Sequence, residues 1–190
     1  MSDTETQSPE PVDLVPEGDS RHVLGNPDAP VTIVEFGDYE CPYCGAAAPV
    51  LHRLVDESDG HVQLVFRHLP LFQRHPYALT AALAAEAAGE HGLFWPLHRQ
   101  MFAHQDRLTD EDLVAYGTEL GIDGTSLVGD EPQRFGEVVE DDYAAAVALG
   151  VRGTPGVFVD GRPYQGRLEL RDLRAAVGLS ARGGSPRSGR

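Results

Sequence analysis

The stretch VTIVEFGDYECPYCG, Val31 to Gly45, decides how this chain is read. VTIVEF (Val31–Phe36) is a β-branched run of the length of a buried strand. Both cysteines of the chain, Cys41 and Cys44, follow it with only Pro42 and Tyr43 between them. Proline suits the first position of a helix, so a helix is expected from CPYC through VLHRLVDE, kinked at Pro49. At such a start the first thiol meets unsatisfied N–H groups and the positive end of the helix dipole, which favour an anion. The second lies on the same face, one turn deeper. That spacing lowers the pKa of Cys41 and places Cys44 to attack a mixed disulfide. Cys41 is therefore the candidate nucleophile and Cys44 the resolving thiol.

Working outward, VQLVFR (Val62–Arg67) reads as a second buried strand, and strand–helix–strand order predicts a parallel pair with a right-handed crossover. From Pro76 to Leu149 the chain is alanine-rich and helical, with glycine stops at Gly89, Gly92, Gly121 and Gly150. TDED (Thr109–Asp112) opens one helix with a capping box. VFVDGRPY (Val157–Tyr164) reads as two strands about an Asp160-Gly161 turn. LELRDLRAAVG (Leu168–Gly178) is a final helix with Leu168, Leu170, Leu173 and Val177 on its apolar side. The outline is an α/β fold, β-α-β then a helical block then β-β-α. Residues 22–74 and 150–179 make the α/β core and 75–149 an inserted helical domain, between a disordered acidic leader (1–21) and a flexible basic tail (180–190).

With 190 residues, 41% of them hydrophobic, the chain buries a core without disulfide staples. Its net charge is −15, and all its basic residues are arginines. So large a negative charge argues against nucleic acid and anionic membrane surfaces as partners. An acidic, lysine-free composition fits a salt-adapted proteome, where high ionic strength screens self-repulsion. No run approaches 18 consecutive apolar residues, and the start of the chain has neither the basic nor the apolar region of a secretory signal. A cytoplasmic protein is expected. There, closely spaced cysteines are more often catalytic or metal-binding than structural. Two cysteines supply only half the ligands of a tetrahedral zinc site, and a crosslink over two residues would constrain little of the unfolded chain.

The opening stretch, with FRHLPL (Phe66–Leu71) and GVRGTPGVFVDG (Gly150–Gly161) in that order, resembles the DsbA-like branch of the thioredoxin superfamily. These are thiol–disulfide oxidoreductases with a helical domain inserted into a thioredoxin fold, and the resemblance runs from His22 to Leu179. It implies that Thr154-Pro155 is the family's cis-proline loop, lying beside the dithiol and leaving the Thr154 backbone to pair with an extended substrate peptide. It implies that Glu35 is the buried acid beneath the dithiol, raised in pKa by burial and able to take the proton of the resolving thiol. Arg67 and His68, placed after the second strand, also fit the pattern, with roles in favouring the thiolate or in packing. His75 reads as a helix cap, and Phe94, Trp95, Leu97 and Met101 as core of the helical block. Two departures bear on function. The Pro42-Tyr43 dipeptide, also used by glutaredoxins, replaces the Pro-His of the strongly oxidising periplasmic members. Asp38 and Glu40 place charges beside Cys41 that oppose a thiolate. The expected activity is reduction of protein or peptide disulfides in a reducing cytoplasm, without a cofactor or metal. A thioredoxin system or a low-molecular-weight thiol would supply the electrons. The alternatives are a glutathione-dependent isomerase or transferase of the same fold, and a dimer holding an iron–sulfur cluster between two CPYC motifs.

Overall fold

A computed structural model describes residues 11–15 and 21–179. The run VTIVEFG forms β2 (Val31–Gly37) at the centre of a five-stranded sheet, and VQLVFRH forms β3 (Val62–His68) parallel to it. The helix between them, α1 (Pro42–Asp56), starts at Pro42 and passes through Pro49 without ending. Its buried positions, Cys44, Ala47, Ala48, Leu51, Leu54 and Val55, recur at helical spacing and face the sheet. β4 (Gly156–Val159) lies antiparallel to the other side of β2, and β5 (Arg162–Pro163) pairs with it through the Asp160-Gly161 turn. Both turn residues have positive φ, 46° and 72°, as such a two-residue hairpin requires.

One strand has no counterpart in the sequence reading. β1 (Val23–Gly25) pairs antiparallel with the outer edge of β3, matching Val23 to Val65 and Leu24 to Leu64. Three residues are too few to show a period. The sheet order is β1-β3-β2-β4-β5.

Successive residues of β2 serve opposite faces. Ile33 joins Leu51, Leu54, Leu64 and Leu173 under α1 and the last helix, α6 (Leu170–Ala176), while Val34 and Phe36 join Val65, Phe158 and Ala146 on the other face. Leu168, Leu170 and Val177 pack with Leu173 as expected, but the helix is shorter than Leu168–Gly178: Leu168 precedes its N-cap Glu169 and Val177 is its C-cap. Between β3 and β4 run α2 (Ala78–Glu90), α3 (Phe94–Ala103), α4 (Asp110–Glu119) and α5 (Gly136–Ala148). Thr109 caps α4 with the reciprocal Asp112 bond of a capping box. Gly89 is not a stop: α2 runs through it and ends at His91-Gly92, where Gly92 takes the positive φ. Phe94, Leu97 and Met101 are core of this block, in the same apolar cluster as Cys41 and Cys44, and Trp95 packs against it.

Residues 11–15 lie within the stretch read as a leader, yet they pack. The Val12 N–H donates to the Gly161 carbonyl at 3.0 Å, and Leu14 and Val15 lie against the Val34–Phe158 cluster. Val12, Leu14 and Val15 give this segment the apolar surface to do so. Arg21, the last residue of that stretch, is also described and packs; residues 1–10 and 16–20, and the tail from 180 onward, fall outside the described residues.

The helices are joined to the sheet by buried charge. Glu86 of α2 accepts from His22 Nε2 at 2.7 Å and His68 Nε2 at 3.0 Å. Asp142 of α5 accepts from Arg21 at 3.1 Å and from the His68 backbone N–H at 3.0 Å, with Arg67 Nε at 3.7 Å. Arg67 and His68 thus belong to β3 itself and to this network, not to a loop after the strand. Burial alone would push the Glu86 carboxyl up, but the two histidine hydrogen bonds outweigh it and hold it well below the usual range. Removing one member strands the rest, so Glu86→Ala is expected to cost about 3 kcal/mol in urea unfolding at neutral pH.

Candidate functional site

Cys41 is the N-cap of α1, with extended backbone (φ −70°, ψ 118°) and Pro42 in the first turn. No side chain caps this helix start, which leaves its N–H groups to the Cys41 sulfur. Both cysteines are free thiols. In its thiol form Cys41 Sγ donates to the Thr154 carbonyl at 3.3 Å. The Thr154-Pro155 peptide is cis, and the loop it belongs to lies directly over Cys41. The Thr154 hydroxyl is buried without a partner in ordinary hydrogen-bond geometry among the described residues, so it is available to a charged sulfur.

The two thiols are electrostatically unequal. Cys41 is lowered from 9.0 to about 5, first by a hydrogen bond from the Cys44 thiol, then by the Thr154 hydroxyl and the Cys44 and Tyr43 backbone N–H groups, against burial. Cys44, fully buried, moves far up. Burial is the main cause, followed by its hydrogen bond to Cys41 and the neighbouring charge of Glu35. At neutral pH the pair is one thiolate and one thiol.

Glu35 stands in β2 on the same face as Ile33, the face covered by α1, and is fully buried. Neither carboxylate oxygen has a hydrogen-bond partner among the described residues. Desolvation, with the charge of Cys41 second, pushes its pKa from 4.5 up to about 8. The structure therefore brings together Cys41, Cys44, Glu35 and Thr154, with Tyr43 of the dipeptide projecting into solvent at 74% exposure.

Gln105 escaped the sequence reading, and Asp38, Glu40 and His75 hold roles it did not give them. Gln105, in the loop after α3, donates from Nε2 to the carbonyls of both Tyr39 and Cys41 at 2.8 Å, clamping the segment that presents the cysteine. Asp38 is buried and fully engaged: it accepts from the Glu40 N–H at 2.8 Å, the Leu71 N–H at 2.7 Å and His75 Nδ1 at 2.8 Å. Its charge is spent on tying the CPYC loop to the segment after β3. His75 is accordingly its partner and not a helix cap; α2 is capped at Tyr77, whose N–H is bound by Glu40. Among the described residues one grouping offers metal-type donors, His22, His68 and Glu86, with ligand atoms within 4.8 Å of one another. It excludes the cysteines, and its carboxylate is already compensated by both imidazoles and by Arg21 at 3.8 Å.

Beside Cys41 opens a groove of about 610 Å³. Its walls are Pro42 and Tyr43, the Pro70–His75 segment, Tyr143 of α5, and Arg152–Thr154. No helix among the described residues is long and apolar enough to cross a membrane.

Comparison with known proteins is consistent with this geometry. The Thioredoxin family model matches residues 17–178. A thioredoxin-like oxidoreductase from Silicibacter pomeroyi DSS-3 superposes with a TM-score of 0.71 at 32% identity, over 82% of this chain and 89% of that one. The thiol-disulfide exchange protein alpha-DsbA2 from Wolbachia pipientis gives a TM-score of 0.72 at 25% identity, over 83% and 85%. Na(+)/H(+) antiporter NhaA 1 of Salinispora arenicola is 44% identical over 166 residues, covering 86% of this chain but 25% of that protein. The chain thus spans about a quarter of the length of the curated relatives it matches.

Proposed function

The chain belongs to the DsbA-like thiol–disulfide oxidoreductases of the thioredoxin superfamily, and on that premise we propose that it exchanges disulfides with protein substrates through Cys41 and Cys44. The observation that carries this reading is the inequality of the two thiols: Cys41 held near pKa 5 under the Thr154 carbonyl, Cys44 held protonated one turn deeper.

In the reducing direction the Cys41 thiolate attacks one sulfur of a substrate disulfide. The other substrate sulfur leaves as thiolate, and Cys41 becomes part of a mixed disulfide. Cys41 thereby loses its charge. That charge is the second cause, after burial, of the raised Glu35 pKa, so mixed-disulfide formation lowers the Glu35 pKa and eases its ionisation beneath Cys44 at the step that needs a base. Glu35 takes the Cys44 proton, Cys44 attacks Cys41 Sγ, and the second substrate sulfur departs. The product is a Cys41–Cys44 disulfide and a substrate dithiol; an external thiol restores the enzyme. The Thr154 backbone offers the edge on which an extended substrate pairs.

The direction we propose is reduction in a cytoplasm whose thiol pool keeps the pair as dithiol. Whatever stabilises the Cys41 thiolate also stabilises the dithiol, so the pair is a milder reductant than a thioredoxin near about −270 mV. Its fitting substrates are strained or exposed disulfides, which have the more oxidising potentials. Insulin reduction driven by dithiothreitol, with equilibration of the pair in glutathione buffers, tests the reading. Cys44→Ala is expected to accumulate mixed disulfides on non-reducing gels. No adduct on that variant, with unimpaired insulin turnover, would sink the mechanism.

A further inference from the structure

Resting on the disulfide-exchange reading, we propose that the groove beside Cys41 selects protein disulfides whose half-cystine is flanked by acidic residues. The chain carries twice as many acidic as basic residues, 30 against 15. The groove inverts that balance: its lining includes Arg74 and Arg152 and, among the described residues, no Asp or Glu. Both arginines are exposed, and neither makes a side-chain hydrogen bond or ion pair among the described residues. The lining's other titratable cation, His75, is already committed to Asp38. Arg53, Arg107 and Arg134 are paired, with Glu57, Asp112 and Glu90. Arg99 and Arg162 are likewise exposed without a side-chain partner among the described residues, but line no part of this groove. What sets the groove apart is that its two guanidiniums share one concave surface with no carboxylate in its lining. Two unpaired guanidiniums left facing one groove of an acidic protein form a local field that recruits negative charge.

Their placement fits a peptide. Arg152 stands two residues before Thr154, whose carbonyl lies at the Cys41 sulfur, and Arg74 is on the segment that forms the facing wall. A strand paired along Thr154 with its cysteine at Cys41 would carry its neighbouring side chains past these guanidiniums. Tyr43 and Phe72, 74% and 53% exposed, offer apolar surface between them. A polypeptide covers such surface with its flanking side chains, whereas glutathione has no apolar side chain to set against it. A carboxylate one or two positions from the half-cystine meets Arg74 or Arg152 without displacing any existing partner.

The test uses two synthetic peptides of one length carrying a 2-thiopyridyl mixed disulfide, one with glutamates and one with lysines flanking the cysteine. Thiopyridone release is followed, and each rate is divided by that peptide's rate with dithiothreitol. The wild-type protein is expected to prefer the acidic peptide by about fivefold at low salt. The preference should shrink toward unity at about 1 M salt, where the Debye length is about 3 Å. Arg74→Glu/Arg152→Glu should reverse it. A role confined to holding the Cys41 thiolate would change both rates together and leave their ratio in place, which overturns the proposal. Equal wild-type rates overturn it also, as does faster reduction of glutathione disulfide than of the acidic peptide. Failure to attack either peptide removes the disulfide-exchange reading itself, and this inference with it.

Discussion

Cys41→Ser is expected to abolish the proposed disulfide reduction, leaving only the background rate of the added reductant, while the protein folds normally. Serine is among the residues a helix N-cap favours and Cys41 makes no side-chain cap bond to lose, so the loss would be chemical. With its pKa lowered to about 5, wild-type Cys41 should be largely thiolate at neutral pH, and its alkylation by iodoacetamide is expected to be on its plateau there. An ordinary thiol at 9.0 would still be gaining reactivity up to and beyond that value. In Cys41→Ser the plateau disappears, because Cys44 is fully buried and held protonated. Fast neutral-pH alkylation that survives in Cys41→Ser would reassign the nucleophile. Turnover that survives would reject Cys41 as its carrier.

Glu35→Gln is expected to stabilise the protein above about pH 4.5 while slowing the proposed exchange. A fully buried carboxyl raised from 4.5 to about 8 favours the protonated folded state, so the folded chain binds more protons than the unfolded one across that window. Stability therefore falls as pH rises from about 4.5 to about 8, and the full loss is about 5 kcal/mol. Cys41 acts with the opposite sign. Its folded pKa is depressed from 9.0 to about 5, so its contribution is complete above 9.0 and is lost as pH falls to about 5. In the wild type the two slopes oppose each other. Urea unfolding of the reduced protein should thus give stability that rises with pH less steeply for wild type than for Glu35→Gln. The difference between them grows to about 5 kcal/mol by pH 8 and above. Glutamine accepts no proton, so the variant should also accumulate mixed disulfide. A stability difference that stays constant with pH would mean Glu35 is not raised by burial.

The parts of this molecule legible in its sequence are those written in local pattern. β2, β3 and α1 follow from a β-branched run, a second buried apolar run and a proline at a helix start, and the Asp160-Gly161 hairpin from its turn residues. Cys41 and Cys44 were found because their spacing carries its own chemistry. Gln105 left no such trace: it reaches Cys41 across 64 positions from a polar loop, and nothing local distinguishes it from other surface glutamines. Asp38 was read through its nearest neighbour in sequence, as a charge opposing Cys41. Its fold partners Leu71 and His75 are 33 and 37 residues away and turn that charge into a tether. Glu86 and Asp142 carry no local signal that separates them from the other acids of an acidic chain. Only the packing of α2 and α5 against β3 makes them buried counter-charges. β1 was missed because its identity as a strand rests on pairing with Val65 and Leu64 and not on its own three residues.

The order β1-β3-β2-β4-β5 leaves the sheet with two ends, and both are blunt. One is three residues long and closes on Gly25; the other is two residues, one of which, Pro163, has no N–H to offer. A net charge of −15 keeps copies of a protein apart at low ionic strength, but that repulsion reaches only about 3 Å in 1 M salt. In brine, resistance to edge-to-edge aggregation therefore falls to the strands themselves. Ends this short give a neighbouring molecule almost no ladder on which to add.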